Sequence, residues 1–432
     1  MTGALGGLLF GFDLVLVSGI IDAIVKVYGL TDYQKGITVA VGPLSTVIGC
    51  FVAGVIGQRM GARTAMRYAA ALYLIATAAT ALSVGWPMLL GMRFLAGLGL
   101  GSATVLGPVY IAELSPALWR GRLVGLFQIN VVIGILVGYT SNYLVRLADP
   151  NINNWRLMVA VVLVPTAAFL GALFTIPKSP RWSASREQID EALAVLGLMG
   201  APDPKAELDD IRAAIASENA SAHEAVFQWK YRYPLFLAIS IGAFNQLAGI
   251  NAIMVYVHSI FGAAGFSMLS GDVQAIAIGV TNLVFCFVGM SMIDKFGRKS
   301  LLLLGAGVTF FCLAGVAWVF LSGQHQAALL PLLMTYIAFF SMSQGAVIWV
   351  YIGEVFPTSV RSKGQGVGSA SHWVVFTIIA FSFPVIAQKF GAGMPFVFFA
   401  AATLVQFVVV ALWYPETKGQ TLEQLQRRLV KA

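Results

Sequence analysis

Apolar residues run through this chain in stretches of about twenty, and polar residues collect in the gaps between them. A helix needs roughly that length to cross the hydrocarbon core of a bilayer. Lipid offers no partner for backbone N–H and C=O groups, so such stretches are read as helices. A barrel would alternate polar and apolar positions in short segments, and that alternation is absent from the sequence. The pattern predicts twelve spans, at 4–28, 37–57, 65–84, 88–111, 123–146, 156–176, 232–261, 272–292, 300–321, 328–352, 364–387 and 395–414. The first apolar run starts almost at Met1 and is too long for the apolar region of a signal peptide, so a true span is expected there and no cleavable signal.

A single polar segment is long. Residues 177–231 hold charged, helix-like stretches such as "REQIDEALAVLGL" and "KAELDDIRAAIA", which are too polar for lipid. The chain is therefore expected to divide into a six-helix bundle at 1–176, a helical linker at 177–231, a second six-helix bundle at 232–414 and a tail at 415–432. The two bundles echo each other. "ELSPALWR" at 113–120 parallels "EVFPTSVR" at 354–361, and "QRMGAR" at 58–63 parallels "DKFGRK" at 294–299. The expected fold class is all-α and membrane-embedded, with two pseudo-symmetric halves. A six-plus-six repeat points to a transporter whose site lies near the midplane, between the halves.

Composition agrees with a membrane protein: 58% of residues are hydrophobic and 11% are charged, with a mean hydropathy of +0.82. The formal charge of +8 does not indicate nucleic-acid binding, because the basic residues sit at helix ends. Arg59, Arg63 and Arg67 follow span 2, Arg120 and Arg122 follow span 4, Lys295, Arg298 and Lys299 follow span 8, and Arg361 and Lys363 follow span 10. The opposite loops carry little beyond Lys35 and Lys389. The positive-inside rule then puts both termini and the linker in the cytoplasm, in a multi-pass protein of the cell (inner) membrane. Cys50, Cys286 and Cys312 lie inside apolar runs at no metal spacing, and His223, His258, His325 and His372 are scattered over different elements. Neither a metal nor a cofactor is expected, and no nucleophile–base set suggests an enzyme. "GLGLG" at 97–101 follows a membrane helix and lacks a P-loop lysine, so it is read as helix packing.

Several stretches together resemble the sugar porter family of the major facilitator superfamily. They are "GGLLFGFD", "RFLAGLGLG", "PVYIAELSPALWRGR", "PKSPRW", "NQLAGIN", "DKFGRK", "GEVFPTSVR" and the terminal "PETKG", in that order along nearly the whole chain. The resemblance implies the major facilitator fold and a monosaccharide substrate, in a monomer working in the lipid bilayer. It also implies a cytoplasmic gating network of Arg59, Glu113, Arg120, Arg181, Asp294, Arg298, Glu354 and Arg361. The chain departs from the family at three positions of that network: Gln58 replaces an acidic residue, Ala62 an arginine and Lys178 a glutamate. A weaker cytoplasmic latch is the expected consequence, with the resting population shifted towards inward-facing. Topogenic charge at the membrane edge is the plainer reading of the same residues.

A sugar presents a ring of hydroxyls and an apolar face, so its site needs amides and aromatics. The positions that match sugar contacts in the family are Phe10, Gln128, Ile135, Asn245, Gln246, Asn251, Tyr256, Asn282, Trp349 and Trp373. Each amide taken alone also suits a helix–helix hydrogen bond. Ile135 stands where the xylose symporter has a glutamine, which leans the reading towards a hexose, with a pentose kept open.

Asp13 sits in the middle of "GGLLFGFDLVLVSG". A carboxylate at the bilayer centre costs roughly 2.5–3.5 kcal/mol on insertion scales, so it should face a cavity and have a partner. Arg93 of span 4 is the candidate, and both positions match the aspartate and arginine of the family's proton symporters. Beside Arg93 the carboxyl should be ionised, and away from it the carboxyl can take a proton. The expected function is proton-coupled sugar symport by alternating access, with Asp13 and Arg93 coupling the proton. A passive facilitator with Asp13 as a fixed structural bridge remains open, as does a polyol carrier or a sugar sensor that does not transport.

Overall fold

The computed structural model describes residues 2–115, 120–149, 151–221, 224–357, 360–420 and 422–429. Each predicted span is a helix or a short series of helices, and no strand occurs among the described residues. The spans are Leu5–Tyr28, Asp32–Met60, Ala62–Ala81, Trp86–Glu113, Arg120–Ala148 and Trp155–Thr175 in the first half. The second half has Arg232–Leu247 continued by Ile250–Val255 and Val257–Ala263, then Met268–Phe296 and Arg298–Ser322. Leu329–Phe340 continued to Glu354, Arg361–Phe390 and Met394–Trp413 complete it. Eleven of these are long and apolar enough to cross a membrane. The helix Ala62–Ala81 is not among them, because its 20 residues include Arg63, Arg67 and several threonines.

The breaks have local causes. Pro165 has no N–H to give the carbonyl of Val161, and the sixth span is interrupted at Val162. The seventh breaks at Gly249, whose φ of 88° is left-handed. A Cβ there would also run into the ring of Phe399, so glycine is required twice over. The tenth span loosens into a π-turn over Ser341–Gly345. Close approach explains a pair of glycines: a Cβ at Gly11 would strike the carbonyl of Val131, and one at Gly134 the carbonyl of Leu8.

Packing groups the chain into two compact units. One comprises Met1–Asp13, Leu44–Ile135 and Arg156–Glu224, and the other Leu14–Pro43, Leu136–Trp155 and Ala225–Ala432. Residues 14–43 and 136–155, which the sequence repeat assigns to the first bundle, thus pack with the second unit. The first unit contains the linker up to Glu224, with helices Pro180–Ser185, Ile189–Leu198 and Pro204–Ser221. These close a small core of Ala184, Ala192, Leu196 and Leu208. Ser179 starts the first of them by accepting a hydrogen bond from the Trp182 N–H at 3.2 Å, with Pro180 at the first helical position.

Candidate functional site

Asp13 is half-buried, and its Oδ1 accepts a hydrogen bond from the Tyr73 hydroxyl at 3.0 Å. Tyr73 comes from the third span and is only 2% exposed. Arg93 is 6% exposed and its Nε has no hydrogen-bond partner. Among the described residues no ion pair joins Arg93 to Asp13. The carboxylate is thus held by a phenol in this structure, and a buried guanidinium in the same unit has no carboxylate against it. Tyr73 had no distinguishing signal in the sequence, because a tyrosine in an alanine-rich span reads as packing.

The candidate sugar contacts fall in both units. The first unit holds Phe10 and Gln128, both half-buried, and Ile135, which is buried. In the second unit Asn245 and Gln246 are buried side by side, and the Gln246 amide nitrogen donates to Asn245 Oδ1 at 3.1 Å. That nitrogen also lies 3.1 Å from His372 Nε2. The His372 ring lies 5.2 Å from that of Trp349 and 5.3 Å from that of Trp373. Trp373 is buried, whereas Trp349 is 40% exposed. The structure therefore gathers two amides, an imidazole and two indoles, a set suited to hydroxyls and an apolar ring face. Asn251 lies in the first turn after the Gly249 break. Asn282 Oδ1 accepts from the Ser341 hydroxyl at 2.7 Å. Tyr256 is buried: its hydroxyl donates to the Ala380 carbonyl at 2.7 Å and one face of its ring stacks on Phe383.

Gln344 was not singled out from the sequence. It lies in the π-turn, is 1% exposed, and neither its Oε1 nor its Nε2 has a hydrogen-bond partner. Buried amides are normally paired, and π-turns concentrate at functional positions.

The second-half members of the charged network converge. Arg298 Nη1 donates to Asp294 Oδ1 at 3.1 Å and Nη2 to Glu354 Oε1 at 2.9 Å, while Glu354 Oε2 accepts from Thr417. Arg361 Nε donates weakly to the Phe356 carbonyl, at 3.4 Å. Glu416 caps the ninth span: its carboxylate accepts from the backbone N–H groups of Arg298 at 2.9 Å and Lys299 at 3.0 Å. It also accepts from the N–H groups of Thr417 and Lys418. Burial pushes the Glu416 carboxyl up, but these four donors outweigh it and hold the group below its ordinary value. A depressed carboxyl stabilises the fold above its unfolded pKa and loses that contribution as the pH falls through its folded value. Glu416→Gln is therefore expected to cost roughly 0.5–2 kcal/mol near neutral pH, the usual worth of a helix cap. The difference in melting temperature from the unsubstituted protein, measured across pH, should shrink below about pH 4.

In the first half the loop basic residues find other partners. Arg67 donates Nε and Nη2 to the Leu173 carbonyl, and Arg63 donates Nη1 to the Ile176 carbonyl. Both therefore meet the carbonyl end of the sixth span, where the helix dipole favours a cation. The exposed Arg59 and Gln58 use their carbonyls to accept from Arg186. Lys178, where the family has a glutamate, pairs with Glu191 of the linker at 2.9 Å. Glu113 is half-buried and Arg181 follows Pro180 in the first linker helix. The Arg120 side chain lies outside the described residues.

The family described as Sugar (and other) transporter matches residues 1–429. An arabinose-proton symporter of Bacillus subtilis is 31% identical, across 100% of this chain and 94% of its own. A D-xylose transporter of Levilactobacillus brevis is 32% identical, across 99% and 94%. The inward open conformation of the xylose transporter XylE from E. coli superposes with a TM-score of 0.88 at 27% identity, across 99% of this chain and 98% of that one.

Proposed function

The chain belongs to the sugar (and other) transporter family, and on that premise we propose that it carries a monosaccharide into the cell together with a proton, by alternating access. The observation that supports proton coupling is the state of Asp13 and Arg93. Asp13 is bonded to Tyr73, and no ion pair joins it to the buried Arg93. A purely structural bridge would be closed. An open pair lets the carboxyl exchange partners between a guanidinium and a phenol as the helices move, which a proton carrier requires and a fixed strut does not. The Tyr73 hydroxyl donates to one carboxyl oxygen and leaves the other to carry the proton.

In this reading Gln128, Asn245, Gln246, Asn251 and Asn282 meet the sugar hydroxyls, and Phe10, Ile135, Tyr256, Trp349 and Trp373 cover the ring. Relatives named for arabinose and xylose make pentoses the first substrates to test. The hexose lean rests on Ile135 alone. The inner membrane, cytoplasmic termini and a monomer belong to the same proposal, as does a cytoplasmic latch weakened at Gln58, Ala62 and Lys178. The test is uptake of labelled xylose or arabinose into proteoliposomes under an imposed pH gradient. Accumulation above the outside concentration supports symport. Uptake that stops at equal concentrations contradicts it and leaves passive facilitation.

Gln344 joins the sugar contacts in this proposal, because its unpartnered amide is open to a ligand hydroxyl. One amide hydrogen bond is worth about 0.5–1.5 kcal/mol. Gln344→Met is expected to weaken sugar binding by about two- to twelvefold without lowering the melting temperature, since methionine fills the volume and removes a buried polar group. Unchanged affinity would remove Gln344 from the site.

A further inference from the structure

The second unit buries a group of charges that the proposed mechanism leaves unused. Asp272 of the eighth span has no exposed surface. Its Oδ1 lies 2.5 Å from His258 Nε2 and its Oδ2 lies 2.7 Å from Arg146 Nε. His258 is 2% exposed, and its Nδ1 lies 3.1 Å from Ser18 Oγ. Arg146 Nη2 donates to the Gly19 carbonyl at 3.1 Å. Spans 1, 5, 7 and 8 therefore meet at one buried point. The other groups facing it are Asp22 and Lys35, ion-paired at 2.7 Å and joined to the neighbouring Ser259, and Tyr139. The Tyr139 ring lies 6.5 Å from the imidazole and its hydroxyl donates to the Met254 carbonyl.

The serine decides how many protons the cluster holds. Ser18 Oγ lies 2.7 Å from the Val15 carbonyl as well as 3.1 Å from the imidazole. A hydroxyl has one hydrogen to donate. Turned towards Val15, it accepts from Nδ1–H, and Nε2–H donates to Asp272: the ring is an imidazolium. Turned towards Nδ1, it donates to a bare nitrogen, and Nε2–H still donates to Asp272: the ring is neutral. Both states satisfy both ring nitrogens. They differ by one proton and the rotation of one hydroxyl, while Arg146 Nε stays against Asp272 Oδ2 in each.

We propose that Ser18, His258, Asp272 and Arg146 form a second proton-binding site, and that a proton there tightens a latch joining spans 1 and 5 to spans 7 and 8. The proton places a positive charge on the donor of the Nε2–H···Oδ1 bond to Asp272, which adds attraction to a bond already made to a carboxylate. If the two sequence halves move against each other, these bonds break when this end opens. Loop charge assigns this end to the non-cytoplasmic face. External acid then slows its reopening. This inference rests on the transport reading, and its test separates the two.

The first measurement is the histidine ring nitrogen spectrum of the protein in nanodiscs between about pH 5 and pH 8, with His258→Gln to assign the signals. Glutamine keeps an N–H donor for Asp272 and an acceptor for Ser18 but cannot titrate. One ring should pass from doubly protonated to the neutral Nε2–H form, and that signal should be missing in the variant. A His258 that keeps one protonation state throughout overturns the proposal. Should His258→Gln fail to fold, replacing the other three histidines with glutamine leaves His258 as the single imidazole to follow. The second measurement is sugar exchange in proteoliposomes at equal pH on both sides. Exchange should slow about fivefold, equivalent to about 1 kcal/mol, on acidification in the unsubstituted protein and stay flat in His258→Gln. Equal slowing in both overturns the latch, even where accumulation still depends on Asp13. Loss of accumulation with an intact His258 titration would instead overturn symport and leave this site standing.

Discussion

Asp13→Asn abolishes sugar accumulation driven by a pH gradient and leaves sugar exchange running. Asparagine keeps the shape of the side chain and an oxygen that accepts from Tyr73, as Asp13 Oδ1 does at 3.0 Å. It cannot carry a proton. One pH unit corresponds to about 1.36 kcal/mol, or tenfold in concentration. With one proton per sugar, the unsubstituted protein can accumulate labelled sugar up to about tenfold per pH unit, and the variant should reach only equality. Exchange at zero gradient needs the halves to move but no proton to cross, so it should persist. Loss of exchange together with accumulation would instead make Asp13 a structural strut.

Gln246→Ala loses sugar affinity by one to two orders of magnitude. Gln246 is 1% exposed, and its amide nitrogen lies between Asn245 Oδ1 and His372. Truncation leaves a buried sugar hydroxyl without its proposed amide in the complex, and it leaves Asn245 and His372 without their partner in the free protein. An unsatisfied buried polar group costs about 1–3 kcal/mol, which corresponds to about five- to 150-fold in affinity. Equilibrium binding of labelled xylose or arabinose measures the loss. The same truncation should lower the melting temperature as well, so Gln246→Glu is the companion variant. It keeps the volume and an acceptor for hydroxyls but loses the N–H donor, and it should lose affinity too.

The membrane spans were legible because lipid leaves the backbone a single solution, and length and apolarity then mark each helix. The Asp294–Arg298 contact was also legible, because the two residues stand four apart across the short turn at Gly297 that joins two spans. Contacts between spans were not. Tyr73 looks like any aromatic in a packed helix until Asp13 is seen against it. Arg146, His258 and Asp272 are far apart in the chain, and no periodicity links them. Gln344 and the break at Gly249 were hidden for a related reason. A π-turn and a left-handed residue change where side chains point without altering the apolar pattern. Lys178 illustrates a different limit: it reads as a lost negative charge, but the linker supplies Glu191 as its partner.

The central claim is that sugar and proton move together. Its most direct test is the pH of a weakly buffered suspension of proteoliposomes, without any initial gradient, when xylose or arabinose is added outside. Symport predicts that the medium turns alkaline as sugar enters, and that Asp13→Asn abolishes the change. Entry of labelled sugar with no movement of pH would contradict it.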